Sequence, residues 1–234
     1  PLYSSAASDV YKRQVRRRAR GRRRSGDRRG ELGLVVLLAA FALATPWVGC
    51  IGGPPSDAED ICQIFREKRH WHRSARETFE RWGVPESVQL AIIHQESSFR
   101  ATARPPRRRI LGFLPGPRPS SAYGYGQVLD STWNQYRRAT RRAGASRDDF
   151  ADVADFIGWY VDRIHRRAGV RKNDATELYA AYHEGPGGYL RGTHLTKPRV
   201  SRVAVRVGHR AHRYQAQYDA CREDLSRRRF LGIF

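Results

Sequence analysis

From Ser56 onward, apolar side chains recur at intervals of three and four residues, and no stretch of any length alternates as a β-strand would. This spacing puts the apolar groups on one face of successive helices, so it predicts a single mainly helical domain over residues 56–222. A hydrophobic content of 40% is sufficient for one core of that size. We expect helices over residues 56–68, 69–82, 85–96, 130–142, 148–167 and 173–183, and a last one that starts near residue 198.

Residues that cap helices stand near several of these boundaries. Ser56 and Glu59 have the spacing of a capping box, which predicts the start of the first helix. Gly144, Gly169 and Gly185 follow predicted helix ends, as glycines at C-caps do.

The helical pattern is interrupted once, over residues 99–127, which are rich in proline and glycine. An irregular segment of this length inside a compact domain is usually functional. Three segments stand out in the sequence: IIHQESSF at residues 92–99 and SAYGYGQ at residues 121–127, at the two ends of the irregular segment, and AAYHEGPG at residues 180–187. Their residues make little sense as packing, which favours a role in a site.

Glu96 lies at the end of an apolar helix, four residues after Ile92 and three after Ile93. An apolar setting raises the pKa of a carboxyl group, and the carbonyl end of a helix further disfavours its negative charge. A carboxylic acid that keeps its proton at neutral pH is what cleavage of a glycosidic bond requires. We also expect the Tyr182 hydroxyl to hydrogen-bond this carboxyl group and orient it.

Taken in order, the three motifs resemble those of the soluble lytic transglycosylase (SLT) domain, which are E-S, G-L-M-Q and A-Y-N-A-G. The first is Glu96-Ser97 here, the second is GYGQ ending at Gln127, and the third is AYHEG, which contains Tyr182. The resemblance spans residues 85–187 and implies a lysozyme-like fold, shared with goose-type lysozymes. The long loop resembles that of a lipoprotein subgroup of the family.

The resemblance also implies an activity: cleavage of the MurNAc–GlcNAc β-1,4 bond of peptidoglycan with formation of 1,6-anhydroMurNAc. Glu96 would be the single catalytic residue, because groups of the substrate replace a second carboxylate. No cofactor and no metal is expected, and the partner is the glycan strand of peptidoglycan, bound by a monomer. The residues expected to bind it are Ser97, Tyr125, Gln127, Tyr182 and Glu184.

Three other functions remain open at this point. A goose-type muramidase would use water in place of the sugar hydroxyl, and a non-catalytic wall-binding lipoprotein would keep the groove without needing Glu96. The formal net charge is +21, of which residues 1–49 carry +8 and the remaining residues +13. A net charge of +13 leaves nucleic-acid binding as the third alternative. The export signal described next argues against nucleic acid as a partner.

The N-terminal 49 residues have the pattern of a targeting segment and not of a folded domain. Residues 1–14 resemble a translated sequencing adapter, and we expect them to be non-native. Over residues 15–49 an arginine-rich stretch precedes a short apolar run, which is typical of a signal peptide. Gly49-Cys50 resembles a lipobox, although Trp47 stands where such boxes prefer leucine.

These features predict lipidation of Cys50, a tether over residues 50–55 and a basic tail over residues 223–234. The protein would then be anchored by lipid to the outer membrane of a Gram-negative bacterium and face the periplasm. An ordinary N-terminal anchor with an incidental cysteine is the alternative.

Once Cys50 is lipidated, Cys62 and Cys221 remain as a pair in an oxidising compartment. They belong to the first and last predicted helices, whose ends lie close together in many compact domains. We therefore expect a disulfide between them. The alternative is two buried cysteines that never meet.

Overall fold

The computed structural model describes residues 53–111 and 113–230, and within them the chain is mainly helical, as the periodicity predicts. Two short strands form the one sheet of the described residues. In chain order the elements are α1 (Ile61–Glu67), α2 (Arg69–Trp82), α3 (Glu86–Ser97), β1 (Arg109–Ile110), β2 (Leu114–Pro115), α4 (Asp130–Thr140), α5 (Phe150–Ala168), α6 (Ala175–Leu190) and α7 (Pro198–Phe230).

The first helix begins later than its sequence predicts. Asp60 is the N-cap of α1, and its side chain accepts hydrogen bonds from the backbone of Cys62 (2.8 Å) and Gln63 (3.2 Å). The predicted capping box is therefore wrong. Ser56 instead donates from its backbone nitrogen and its hydroxyl to the carboxylate of Glu67 at the other end of the helix.

The centre of the domain is α3, which is buried on nearly all of its faces. It packs against α2, α5, α6 and α7, so its apolar residues contact other helices in every direction. Burial of each such side chain contributes about 1.5–3 kcal/mol to folding. The carboxyl end of α3 is consequently held rigidly inside the domain.

The helix predicted over residues 173–183 does stop at Gly185, and a second helical segment follows it as far as Leu190, so that α6 consists of two segments. Gly185 has φ 73° and ψ 156°, which breaks the helical path and produces a kink. Pro186 follows at the start of the second half, where a missing N–H costs nothing. The kink redirects the chain just after the third motif.

The two ends of the domain are joined covalently. Cys62 in α1 and Cys221 in α7 form a disulfide, with their Cα atoms 6.1 Å apart. Helix α7 extends beyond Cys221 into the predicted basic tail as far as Phe230.

In residues 53–111 and 113–230, no helix has the length and apolar character needed to cross a membrane. The predicted signal peptide and Cys50 lie outside the described residues.

Candidate active site

Glu96 occupies the last turn of α3, and its side chain is 7% exposed. The chain turns sharply after the helix, because Ser98 and Phe99 both adopt left-handed backbone angles, with φ of 50° and 60°. Consecutive non-glycine residues in this region are costly and occur where the surroundings enforce them. The ring of Phe99 is buried against Trp71, with ring centroids 5.6 Å apart. This turn buries an aromatic side chain three residues after Glu96.

Burial raises the pKa of Glu96 to about 8. Neither carboxyl oxygen has a hydrogen-bond partner among the residues that the structure describes. The buried Tyr179 hydroxyl acts in the opposite direction and lowers this pKa, although the two groups lie outside hydrogen-bond geometry. At neutral pH the protonated acid therefore predominates, in accord with the sequence-based expectation.

Tyr179 is a residue that motif reasoning missed. It lies one helical turn before Tyr182 on α6, so both side chains are directed to the same side of the helix. That three-residue spacing between two tyrosines is the signal that would have found it. Its own pKa is raised well above the usual value by burial and by Glu96.

Tyr182 does not hydrogen-bond Glu96, contrary to our expectation. Its hydroxyl donates to the backbone carbonyl of Gly126 over 2.8 Å. The ring is buried edge-on against Tyr160, with centroids 5.5 Å apart. Tyr182 thus ties the third motif to the second and stands close enough to Glu96 for the two groups to interact electrostatically.

Gln127 holds the second motif in place. Its side-chain nitrogen donates to the backbone carbonyls of Ala103 and Gly124, each over 2.9 Å, and so joins the two ends of the long loop. Gly124 has φ 80°, and a Cβ there would overlap the backbone carbonyl of Arg147. The turn therefore requires glycine at this position.

Two other predicted substrate-binding residues are buried near Glu96. Tyr125 lies edge-on against Trp71 (5.6 Å) and Phe150 (5.8 Å), and burial raises the pKa of its hydroxyl to about 12. Ser97 donates its hydroxyl to the carbonyl of Ile93, one turn back in α3 (3.2 Å). These contacts give both residues a structural role, and their contact with substrate stays a prediction.

Glu184 is 3% exposed and fully engaged with neighbouring groups. Its carboxylate accepts from Lys197 Nζ at 2.7 Å and from the Thr193 hydroxyl at 2.6 Å, and His183 Nδ1 lies 3.0 Å away. Burial alone would raise its pKa, but these partners together lower it. A substrate contact by Glu184 also stays a prediction, and it would require displacing one of these partners.

A cavity of about 650 Å³ lies at the opposite end of α3, next to Glu86, and Glu96 does not line it. The candidate active site is therefore located by the buried Glu96 carboxyl group and not by this cavity. The residues brought together around Glu96 come from α3, from the end of the long loop and from α6, which are the three segments singled out in the sequence.

The comparison with known proteins agrees with this arrangement. A family model described as the transglycosylase SLT domain matches residues 37–221, which include all three motifs and begin within the predicted signal peptide. No curated protein matches the chain. Since the matched residues make up most of the sequence, the chain belongs to the transglycosylase SLT domain family and has a lytic transglycosylase-type activity on peptidoglycan.

Proposed function

We propose that the protein cleaves the MurNAc–GlcNAc β-1,4 bond of peptidoglycan and that Glu96 is its single general acid and base. The observation that carries this proposal is the buried Glu96 carboxyl group, whose raised pKa of about 8 keeps it protonated at neutral pH. General acids in enzymes have a pKa near the working pH for this reason.

In the first step, the Glu96 carboxyl group donates its proton to the glycosidic oxygen as the bond from that oxygen to C1 of MurNAc breaks. The resulting carboxylate then takes the proton of the C6 hydroxyl, and the C6 oxygen forms a bond to C1. The products are a GlcNAc chain end and a 1,6-anhydroMurNAc end. Glu96 regains its proton, and no water is consumed.

The other buried carboxyl groups have hydrogen-bond partners, which supports a single catalytic acid. Glu86 accepts from the Tyr218 hydroxyl over 3.2 Å. Asp155 accepts hydrogen bonds from Trp82 (2.8 Å) and Tyr136 (2.7 Å) and pairs with Arg142 at 2.8 Å. Burial would raise its pKa, but these bonds lower it. Glu184 is held in the same way by Lys197. A mechanism in which the sugar supplies its own hydroxyl needs no second carboxylate from the protein.

Product analysis tests this proposal. Purified peptidoglycan is digested with the wild type, with Glu96→Gln and with Glu86→Gln, and the products are identified by mass spectrometry. Glu96→Gln cannot donate a proton, so we expect its rate to fall at least about a hundredfold. Glu86 is the matched control, since it is another buried carboxyl group on α3 with a raised pKa, and it lies at the far end of the helix.

The products distinguish the possible outcomes. Anhydro ends, one water lighter than hydrolysed ends, support the proposal. Reducing MurNAc ends would assign the protein to the goose-type hydrolases instead. Near-normal product release by Glu96→Gln, or binding to peptidoglycan without any cleavage by the wild type, would contradict the proposed role of Glu96.

We further propose that the protein works as a monomer, anchored by a lipid on Cys50 at the periplasmic face of the outer membrane. The signal-like pattern before Cys50 supports export. The disulfide between Cys62 and Cys221 supports an oxidising compartment. Mass spectrometry of the mature N terminus tests the anchor, and a chain with unmodified Cys50 still joined to Gly49 would contradict it.

A further inference from the structure

The tip of the β1–β2 hairpin carries a cluster of exposed apolar side chains. Ile110 is 50% exposed, Leu111 79%, Phe113 74% and Leu114 46%. The other large apolar residues exposed in the described part of the chain are apart from one another in sequence, and such single residues are normal on a protein surface. Four exposed apolar side chains within five positions form a hydrophobic patch, whose contact with water is unfavourable.

The residues around this tip in the sequence carry positive charge. Between Glu96 and Asp130 the sequence has no acidic residue and six arginines: Arg100, Arg104, Arg107, Arg108, Arg109 and Arg118. The three consecutive arginines at residues 107–109 are exposed and make no ion pair with any residue that the structure describes. Arg107 also donates to the backbone carbonyl of Gly116 over 3.4 Å, and the guanidinium groups of Arg108 and Arg109 are available to anionic groups outside the protein.

The hairpin presents the tip as a defined shape. Ile110 pairs with Leu114 across the two strands, and Leu111 adopts a left-handed backbone conformation (φ 52°) at the turn. Arg118 donates to the carbonyl of Pro105 at the base of the hairpin. A two-stranded hairpin alone in water is only marginally stable, so an apolar phase around the tip would stabilise it.

We propose that this hairpin is a membrane-insertion element that places its apolar tip in the interface of an anionic lipid bilayer. The apolar side chains would enter the acyl boundary, and the arginines at residues 107–109 would contact lipid phosphates. A glycan strand or a nucleic acid offers anionic or polar groups but no apolar phase for the tip. The proposal is independent of the proposed function and concerns a contact separate from Cys50.

A depth measurement on the full chain tests the insertion. Cys50→Ser removes the thiol outside the disulfide, and Leu111→Cys then carries a nitroxide label at the tip. Leu195→Cys is the matched control, since Leu195 is 72% exposed and lies between α6 and α7. Vesicles of phosphatidylcholine with or without phosphatidylglycerol are the probes. Both labelled chains contain the same N-terminal apolar segment, so its membrane binding affects them equally.

On vesicles with phosphatidylglycerol, we expect the label at residue 111 to collide more with oxygen and less with a water-soluble nickel chelate. The label at residue 195 should stay exposed to the chelate. In a chain with Arg107→Gln, Arg108→Gln and Arg109→Gln, the equilibrium constant for insertion of the tip should fall about fivefold for each arginine removed.

Three results would overturn the proposal. The first is a label at residue 111 that stays as exposed as the label at residue 195 on anionic vesicles. The second is equal insertion into pure phosphatidylcholine, which would remove the role of the arginines. The third is protection of residue 111 by isolated peptidoglycan and not by lipid, which would assign the hairpin to the cell wall. Unchanged helical circular dichroism shows that each labelled chain is folded.

Discussion

The Glu96 carboxyl group is buried without a hydrogen-bond partner among the described residues, a condition that costs stability unless the group is neutral. Its raised pKa of about 8 keeps it neutral at pH 7, so the fold tolerates the burial. The unfolded carboxyl group ionises near pH 4.5, whereas the buried one keeps its proton until about pH 8. The protein therefore gains a proton donor and loses stability as the pH rises from about 4.5 to about 8.

Tyr179 and Tyr182 differ in what their hydroxyl groups do, which predicts different effects of removing them. The Tyr179 hydroxyl lowers the pKa of Glu96, so Tyr179→Phe should raise that pKa. Activity requires protonated Glu96 and falls as the pH rises through its pKa. The alkaline limb of kcat/KM should therefore move to higher pH in Tyr179→Phe, with little change in stability, because this hydroxyl has no hydrogen-bond partner among the described residues.

Tyr182→Phe is the comparison variant, measured over pH 5–10 in the same way and by urea unfolding. It removes the hydrogen bond to Gly126, so the free energy of unfolding should fall by about 1–2 kcal/mol. Turnover should fall as well, since the second motif loses a contact that positions it. An alkaline limb at the same pH in Tyr179→Phe and the wild type would refute the role given to Tyr179.

At the scale of the elements, helices followed from the sequence wherever apolar spacing was clear. Helix α2 ends before Gly83 and α5 before Gly169, both left-handed, as glycine caps predict. An error arose where a local signal competed with a tertiary contact. Glu59 pairs with Arg210 in α7 instead of capping α1, and no local pattern shows that contact. Helix α6 resumes after Gly185 because Pro186 suits the start of a new turn.

The ion pair between Glu184 and Lys197 links α6 to the start of α7. Lys197→Met would leave a buried carboxylate without its cation, which is strongly destabilising. Because the Lys197 side chain is half exposed, solvent offsets part of the loss, and we expect a decrease of roughly 2 kcal/mol in the free energy of unfolding. Urea unfolding at pH 7 measures this difference.

The control for this prediction is the double variant with Lys197→Met and Glu184→Gln. Its neutral amide needs no cation, so part of the lost stability should return. If the double variant is as unstable as Lys197→Met alone, the destabilisation comes from lost packing of the lysine stem and not from the unpaired charge.

At the scale of the whole molecule, the site is assembled from segments far apart in sequence, and the motifs identified those segments. Glu96, Gln127 and Tyr182 do lie in one region around the end of α3. Sequence patterns could not give the hydrogen bonds that these residues make, because the Glu96 carboxyl group and the backbone of the second motif were both possible acceptors for the Tyr182 hydroxyl. The choice of Gly126 over Glu96 depends on the turn of the long loop, which has no helical or strand period.

The disulfide between Cys62 and Cys221 constrains the whole domain, since the two cysteines are 159 positions apart. Closing so long a loop restricts the unfolded chain strongly, and the chain-entropy model gives about 5 kcal/mol for it. Measured effects of removing native disulfides range over about 2–5 kcal/mol. We therefore expect Cys62→Ser with Cys221→Ser to lower the free energy of unfolding by an amount within that range.

Urea unfolding of the double variant and the wild type, both without reductant, measures the difference. Since the bond acts on the unfolded chain, the wild type in reductant should lose a similar amount, and this provides a control free of substitution effects. Reaction of the denatured, unreduced wild type with a thiol reagent tests the bond itself. Labelling of both Cys62 and Cys221 would contradict the pairing. Protection of both cysteines, together with a loss of stability in reductant, would show that this one covalent link between α1 and α7 stabilises the domain around Glu96.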